Sequence, residues 1–305
     1  TGVLVGAAMV ATRYVIGQTD PASLALLRYG IGTLGLIPPL LLIRRVKFAG
    51  RDLIPIALLG IGQFGILIAL LNYGLQFIGS GLGALLFATF PIMTMVLAAA
   101  LRLEALTTAK AAGALLTIVG VGLAVSDKAV LPDLAADNFL GVIAVLASAL
   151  TGALCSVFYR PYLQKYPPLQ VSVFAMLASV LFLIVPAGAE GFFLGLPVFT
   201  PLGWAAVLFI GFCSSLGYYT WLLALKHATP TRVAMFLALG PVTATALGAA
   251  ILGEPVTPLF LGGLAAVIAG LWVAHLPQAS GPHWSKLLDF RQIWGDHREQ
   301  PRSLN

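Results

Sequence analysis

A stretch of 41 residues in this chain occurs a second time 150 positions further on. Residues 84–124 align without a gap with residues 234–274, and 12 of the 41 positions are identical. The identical positions include the frame Pro-x12-Glu-x2-Thr-x5-Gly-x6-Gly, which is hard to obtain from composition alone. An internal repeat constrains the fold more strongly than a short motif does, so we expect two structurally equivalent halves.

Each copy of the frame indicates an apolar helix, a polar turn and a second apolar helix. In the first copy, Thr107 can cap the second helix, and Glu104 lies near the positive N-terminal end of that helix. Thr257 and Glu254 hold the same positions in the second copy. Two glycines follow on one face of the second helix, where small residues let membrane helices approach closely; they are Gly113 and Gly120 in the first copy, and Gly263 and Gly270 in the second.

The chain is too apolar and too weakly charged for a water-soluble domain. Of its 305 residues, 59% are hydrophobic and 9% are charged, whereas soluble domains carry about 25% charged residues. The composition therefore predicts an integral membrane protein. The formal net charge of +6 is expected in loops that face an anionic membrane leaflet, and no nucleic-acid partner is predicted.

Motifs for catalysis or for a cofactor are not found in the sequence. There is no Ser/His/Asp arrangement, no phosphate-binding loop and no HExxH pattern. Cys155 and Cys213 lie in apolar runs without disulfide or metal-ligand spacing, so we interpret them as packing residues. We expect neither an enzyme nor a protein with a cofactor or a metal.

Apolar runs divide the chain into ten segments, each near the length of about 20 residues that crosses a bilayer. Five segments precede and five follow a polar linker at residues 128–137. Because five is odd, the second repeat must insert upside down relative to the first, an arrangement typical of secondary transporters. The sequence thus predicts an all-α integral membrane protein with ten transmembrane helices in two inverted five-helix repeats, at residues 1–127 and 138–275, followed by a cytoplasmic tail at 276–305. The segments are 2–17, 21–43, two within 53–101 that divide at Gly79–Gly81, 107–126, 138–162, 168–186, 201–226, 230–252 and 256–275.

Lysine and arginine are distributed unevenly between the two predicted membrane faces. Of the 17 such residues, only Arg13, Arg28 and Lys128 fall on one face or in the helix beside it. An excess of positive charge marks the cytoplasmic side. The sequence therefore predicts a bacterial inner-membrane protein with both termini in the cytoplasm.

With its doubled frame, the sequence resembles the EamA-type repeat of the drug/metabolite transporter superfamily. The two copies and their flanking helices cover nearly the whole chain, from about Gly2 to His275. The chain is also similar to the YddG-type exporters of aromatic amino acids. This resemblance implies a secondary transporter that exports small metabolites by alternating access, with a small-molecule substrate and the lipid bilayer as its partners.

Five residues are candidates for gating or for conformational change. Pro91 and Pro241 interrupt helical hydrogen bonding, and we interpret them as hinges beside a central cavity, the alternative being passive kinks. Arg28 lies early in the second segment, where a charge either faces a cavity or snorkels to the interface; EamA-type first repeats often carry an arginine there. For Glu104 and Glu254, the alternatives are structural capping and a gating contact.

Polar and aromatic side chains in the middle of the segments are the candidates for substrate binding. Each alone is explained as well by helix packing or by an interfacial aromatic belt. Together they predict an uncharged, aromatic and modestly polar cavity. The candidates are Gln63, Asn72, Tyr73, Gln76, Phe87, Ser156, Tyr159, Tyr218, Tyr219 and Trp221, with Phe90, Ser214, Ser215, Thr243 and Thr245 beside them.

An aromatic cavity favours aromatic or hydrophobic amino acids as the exported metabolites. Acidic residues and histidines all fall in loops, at helix ends or in the tail, which favours an uncoupled facilitator; a proton-coupled exporter that uses a helix-end glutamate is the alternative. A sugar-phosphate exchanger of the same superfamily would need several cationic residues in its cavity. A membrane-embedded enzyme would need a nucleophile, a metal or an acid–base pair, and none is visible.

Overall fold

A computed structural model of the chain describes residues 2–42, 46–103, 107–127, 136–195, 197–228, 233 and 236–274. Within these ranges every regular element is a helix. Glu104, the first eight residues of the predicted linker and the predicted tail lie outside the described residues. The domain boundaries therefore stay a prediction.

Twelve α-helices follow one another along the described chain. Two π-helical segments, Ile61–Ile66 and Gly248–Leu252, continue neighbouring α-helices, and short 3-10 turns occur at Ile16–Gln18 and Phe236–Ala238. The α-helices are α1 (Gly2–Val15), α2 (Pro21–Leu41), α3 (Gly50–Gly60), α4 (Leu67–Phe77), α5 (Ser80–Phe87), α6 (Phe90–Ala100), α7 (Thr108–Val125), α8 (Ala136–Lys165), α9 (Pro168–Ala189), α10 (Pro201–His227), α11 (Leu239–Leu247) and α12 (Pro258–Val273).

Seven helical stretches of the described chain are long and apolar enough to cross a membrane. Two of them are composite: residues 50–77 join α3, a π segment and α4, and residues 80–100 join α5 and α6. Three shorter apolar helices, Gly2–Gln18, Leu239–Leu252 and Pro258–Val273, take the positions of the remaining predicted crossings. The chain is therefore a multi-pass, all-helical membrane protein, and each of the ten predicted segments corresponds to a helical stretch.

Two helices extend beyond the ends that the sequence predicted. α8 begins at Ala136, inside the predicted linker, and continues past Tyr162 to Lys165. α9 continues to Ala189, three residues beyond Pro186. A proline removes one helical hydrogen bond, but a membrane helix continues when neighbouring groups satisfy the freed carbonyl. Proline is for this reason a poor marker of helix ends in this chain.

The helices pack in a pattern that exchanges the two halves of the chain. α1 of the first half packs against α10 and α11 of the second, while α8, the counterpart of α1, packs against α4, α5 and α6 of the first. α2 packs against its own counterpart α9, and α7 against its counterpart α12. Two repeats related by a two-fold axis produce this exchange.

The contact between α7 and α12 is made through the four glycines of the repeated frame. Gly113 lies opposite Gly270, and Gly120 lies opposite Gly263. A Cβ atom added to any of the four would collide with the backbone of the other helix. The prediction that these glycines permit a close helix approach is confirmed.

The threonines of the repeated frame cap α7 and α12, as predicted. Thr107 Oγ1 accepts a hydrogen bond from the backbone N–H of Lys110 at 3.3 Å, and Thr257 Oγ1 accepts one from Phe260 at 3.0 Å. Each hydroxyl thereby satisfies one of the N–H groups that have no partner within the helix. Both copies of the frame thus start their second helix in the same way.

Candidate functional site

A cavity lies between helices of both repeats, near the middle of the stretches that cross the membrane. Its volume is about 50 Å³, which accommodates a few water molecules but no larger organic ligand. The described cavity is therefore smaller than an organic substrate in this conformation. It is lined by Leu4, Val5, Ala8, Met9, Arg28, Gln63, Leu67, Ile68, Leu71, Phe87, Phe90, Cys213, Ser214, Gly217, Tyr218, Trp221 and Leu237.

Arg28 is the charged residue among the described side chains that line the cavity, so the prediction of an uncharged cavity is wrong. It is 6% exposed, so its guanidinium lies inside the bundle and does not snorkel to an interface. Its Nε donates a hydrogen bond to Ser214 Oγ on α10 at 2.5 Å, and that hydroxyl donates to the carbonyl of Ile210. The guanidinium carbon lies 5.8 Å from the ring centroid of Tyr29, and no described acidic side chain pairs with Arg28. Ala175 holds the equivalent position in the second repeat, seven residues after the first residue of α9, as Arg28 is seven residues after the first residue of α2.

Aromatic side chains form one wall of the cavity. The ring centroids of Phe87 and Phe90 are 5.6 Å apart, and Phe90 meets Trp221 edge-on at 5.7 Å. Tyr218 contacts the buried ring of Phe64 edge-on at 4.6 Å. Edge-to-face and tilted pairs are favourable arrangements of aromatic rings. The wall is therefore a well-packed surface on which an apolar or aromatic group can lie.

Gln63 reaches the cavity from the π-helical segment between α3 and α4. Single π turns inside helices are frequent at functional sites. The segment contains Gly62, which lies against Cys155 of α8, and Gly65, which lies against Phe182 of α9. Small residues at these two positions let the wider π turn fit between the neighbouring helices.

Six other substrate-site candidates lie away from the cavity, three of them on α4. Asn72 is fully buried, and its Nδ2 donates to the carbonyl of Pro21 at 2.9 Å, which fixes the start of α2. The backbone carbonyl of Gln76 accepts a hydrogen bond from Arg13 at the end of α1. Tyr73 is exposed and stacks edge-on with Phe77. This part of α4 therefore contacts α1 and α2, and it does not line the cavity.

The remaining three candidates lie on α8 and α10. Ser156 and Tyr159 are fully buried in α8, and neither hydroxyl has a hydrogen-bond partner in the described part of the protein. Tyr219 is half-buried and packs at the edge of the apolar core. The structure thus brings Arg28, Gln63, Phe87, Tyr218 and Trp221 into one cavity and leaves the others outside it.

Several lining residues were not among the candidates from sequence. Leu4, Val5, Ala8 and Met9 of α1 form an apolar part of the lining, and Leu237 lies beside them. In a membrane protein, apolar side chains face lipid, other helices and cavities alike. No signal in the sequence separates these residues from lipid-facing ones.

Pro91 and Pro241 each follow a short break in their crossing stretch. α5 ends at Phe87 and α6 begins at Phe90, so Pro91 stands in the first turn of α6. In the second repeat, a 3-10 turn precedes α11, and Pro241 is the third residue of that helix. Phe87 lines the cavity, so the first break adjoins it. The role of either proline as a hinge stays a prediction.

Two glutamates of the second repeat bind the N-termini of two helices of the first. Glu254 accepts hydrogen bonds from Ser80 N at 2.6 Å, Ser80 Oγ at 2.8 Å and Gly81 N at 3.0 Å. Glu190 accepts them from Ser23 N at 2.7 Å, Ser23 Oγ at 2.8 Å and Ala22 N at 2.9 Å. Unpaired N–H groups and the helix dipole both favour a carboxylate at this position. We call these two contacts the glutamate clasps.

The partner of Glu254 differs from the one that the sequence predicted. We expected this carboxylate near the N-terminus of α12, the next helix along the chain, but it caps α5 of the other repeat. Gly253, with φ of 65°, turns the chain at the end of the preceding π segment. This left-handed conformation favours glycine. The turn places Glu254 beside Ser80.

Both glutamate clasps lie on one membrane face. Asn72, near the end of α4, contacts the start of α2, and α5 follows α4 after a short turn. On the opposite face, the Asp52 carboxylate accepts hydrogen bonds from Tyr166 Oη at 2.7 Å and from Lys165 Nζ at 3.4 Å. Tyr166 also accepts a hydrogen bond from Ala49 N at 3.1 Å. Contacts between the two repeats therefore hold the bundle together at both faces.

The chain is similar to known membrane transporters over most of its length. It matches the EamA-like transporter family over residues 1–126 and 139–276. An uncharacterised transporter of Archaeoglobus fulgidus is 26% identical over 88% of this chain and 93% of that protein. A solved crystal structure with 22% sequence identity has a TM-score of 0.67 and covers 90% of this chain and 94% of the other, so the two share a fold.

Two further relatives have names that state what they export. A probable terminal-alkyne amino-acid exporter of Streptantibioticus cattleyicolor is 31% identical over 74% of this chain and 74% of that protein. A probable amino-acid metabolite efflux pump of Salmonella typhimurium is 26% identical over 75% of this chain and 79% of that protein.

Proposed function

Since the chain belongs to the EamA-like transporter family, we propose that it exports amino acids with an aromatic or large apolar side chain. Transport occurs by alternating access of the cavity, across a bacterial inner membrane, with both termini in the cytoplasm. The names of two relatives support the substrate class. The uneven distribution of lysine and arginine supports the orientation.

The observation that carries the proposal is the position of Arg28 beside an aromatic wall. A guanidinium without an acidic partner can bind a carboxylate through parallel hydrogen bonds. The rings of Phe87, Phe90, Tyr218 and Trp221 offer the remaining surface to an apolar side chain. One cation matches one carboxylate, whereas a phosphate dianion would carry a second charge into the cavity without a partner. This argument disfavours the sugar-phosphate exchangers.

The small volume of the cavity supports alternating access. An amino acid does not fit into about 50 Å³, so the helices must separate before it can enter. The breaks before Pro91 and Pro241 and the contacts between repeats at both faces are where such a movement can occur.

We infer that transport is not coupled to protons. No aspartate, glutamate or histidine is among the described residues that line the cavity, so the cavity offers no group that exchanges a proton when substrate binds. A proton-coupled exporter is the alternative, and the clasp glutamates Glu190 and Glu254 are the groups that it would use. Such coupling would require a carboxylate to release its helix N-terminus during the cycle.

Counterflow in proteoliposomes tests the substrate class and the driving force. Vesicles loaded with unlabelled phenylalanine should take up labelled phenylalanine, and leucine and tryptophan should compete while glucose 6-phosphate should not. Arg28→Gln should weaken uptake at least about tenfold, since a charge-assisted hydrogen-bonded pair is lost. An imposed pH gradient should not change the final amount of labelled phenylalanine inside the vesicles. A folded wild-type protein that exchanges no amino acid contradicts the substrate class, and accumulation driven by the pH gradient contradicts uncoupled transport.

A further inference from the structure

Gln63 carries a buried polar group that the protein itself does not satisfy. The residue is 4% exposed and lines the cavity, and its Oε1 has no hydrogen-bond partner in the described part of the chain. Buried side-chain oxygens are normally paired, and an unpaired one in a native structure requires an explanation. Since Gln63 faces the cavity, the missing partner is to be sought in what the cavity binds.

The cavity also contains hydrogen-bond donors. Trp221 Nε1 is buried and unpaired in the described structure, and Arg28 has no acidic partner among the described residues. Arginine and the indole N–H can only donate, so these two residues suit a carboxylate. Neither of them donates to Gln63 Oε1 in the described structure, so this oxygen can accept a hydrogen bond from a donor on the ligand.

A ligand that satisfies both kinds of group carries a carboxylate and an N–H donor close together. The zwitterionic head of an α-amino acid has this composition. A carboxylic acid without the amino group would leave Gln63 unpaired, and an amine without the carboxylate would leave Arg28 without a counter-ion. Each loss lowers the affinity, because the few water molecules that the cavity accommodates do not reproduce the charge of the missing group.

We propose that Gln63 Oε1 accepts a hydrogen bond from the α-ammonium group of the substrate and so selects amino acids against their des-amino analogues. The inference rests on the proposed function and goes beyond it, because it assigns the two ends of the head group to two different residues. Arg28 binds the carboxylate from α2, and Gln63 binds the ammonium from the π segment of the next crossing stretch.

Three ligands with one side chain separate the two ends of the head group. Phenylalanine has both groups, 3-phenylpropionate lacks the ammonium, and 2-phenylethylamine lacks the carboxylate. Each competes with labelled phenylalanine in the counterflow assay, and each is tested separately for thermal stabilisation of the purified protein in detergent. The second measurement detects binding in a variant that no longer transports.

In the wild type, both analogues should bind about tenfold or more weakly than phenylalanine, because each leaves a buried group without a partner. Gln63→Leu and Gln63→Met remove the acceptor. In both variants the affinities for phenylalanine and 3-phenylpropionate should differ by no more than about twofold. The affinity for phenylalanine should still exceed that for 2-phenylethylamine about tenfold or more. In Arg28→Gln, the affinities for phenylalanine and 2-phenylethylamine should become similar, while phenylalanine should still bind more tightly than 3-phenylpropionate.

Gln76→Leu is the matched control, because it makes the same chemical change at a half-buried position that does not line the cavity. It should leave all three affinities unchanged. Preference for phenylalanine over 3-phenylpropionate that survives in both folded Gln63 variants overturns the inference and leaves the proposed function standing. A wild-type protein that binds phenylalanine and 3-phenylpropionate equally also overturns the inference. Absence of binding by every amino acid overturns both.

Discussion

Gly120 of α7 and Gly263 of α12 are in reciprocal backbone contact across the two repeats. A Cβ atom on either glycine would lie 2.6 Å from the carbonyl oxygen of the other. That separation is shorter than any ordinary carbon–oxygen contact, and the obstacle is backbone that no side-chain rotation can remove. We predict that Gly120→Ala and Gly263→Ala each destabilise the protein by about 1–3 kcal/mol, the usual cost of an overpacked contact.

Neighbouring glycines supply the controls for this prediction. Gly122 and Gly262 lie on the same two helices, and a Cβ atom on either would have no neighbour within 4 Å. Thermal unfolding in detergent should therefore show a lower midpoint for Gly120→Ala and Gly263→Ala, but not for Gly122→Ala or Gly262→Ala. Equal midpoints in all four variants would contradict the close packing of α7 and α12.

Ser214 is predicted to act on the substrate through Arg28. Its hydroxyl accepts the hydrogen bond from Arg28 Nε, so Ser214→Ala leaves the guanidinium free to turn away from the cavity. Affinity for phenylalanine should fall roughly tenfold, in line with the loss of a hydrogen bond to a charged group. Ser215→Ala is the control, because Ser215 bonds to Phe212 of its own helix and does not line the cavity. Similar affinities in both variants would exclude a positioning role for Ser214.

The glutamate clasps should protect two different sets of backbone amides. Glu254→Ala removes the acceptor of the Ser80 and Gly81 N–H groups, and Glu190→Ala removes that of Ala22 and Ser23. Hydrogen exchange measured by mass spectrometry should accelerate at the start of α5 in the first variant and at the start of α2 in the second, by about tenfold. Each variant is the control for the other. Exchange that rises at both helices in either variant would mean that the clasps open together.

The two prolines are predicted to affect the rate of switching more than substrate binding. Alanine at position 91 restores the N–H that can bond the carbonyl of Phe87, and the break between α5 and α6 should then close into a continuous helix. Turnover in counterflow should fall severalfold for Pro91→Ala and for Pro241→Ala, while substrate affinity changes less than twofold. Pro186→Ala is a useful control, because Pro186 lies inside the unbroken helix α9. Unchanged turnover in both repeat-frame variants would remove the hinge role.

Orientation in the membrane can be tested with single cysteines. Val46 lies before α3 on the membrane face that contains Asp52, and Leu194 follows Glu190 on the opposite face. Both side chains are exposed, and the native Cys155 and Cys213 are buried. A membrane-impermeant maleimide should label Leu194→Cys in intact cells and Val46→Cys only after the membrane is opened. The reverse pattern would place the termini outside the cytoplasm.

Much of the fold could be predicted because it depends on local composition. Long apolar runs predict crossing helices, a threonine before an apolar run predicts a helix cap, and small residues seven positions apart predict a close helix contact. Thr107, Thr257 and the four glycines of the frame confirm the last two expectations. These features require only nearby residues or a contact between copies of the same sequence.

The residues that line the cavity could not be predicted from local sequence patterns. The spacing of Asn72 and Gln76 places them on one face of α4, but nothing in the sequence tells whether that face meets the cavity or α2. Gln63 enters the cavity from a π segment that has no compositional signature. The partner of Glu254 is 174 residues away in sequence, so only the packing of the two repeats identifies it.

A symmetric scaffold around an asymmetric site has a kinetic consequence. Inverted repeats are expected to give two end conformations that are similar in shape, but Arg28 in the first repeat corresponds to Ala175 in the second. If the proposed alternating access holds, we expect different surroundings for the substrate in the two conformations and different dissociation constants at the two membrane faces. A carrier without an energy source must give zero net flux at equal concentrations, so the populations of the two empty conformations must offset that difference. Transport by such a protein reaches half of its maximal rate at a different substrate concentration on each side of the membrane. At equilibrium the substrate concentrations on the two sides are nevertheless equal.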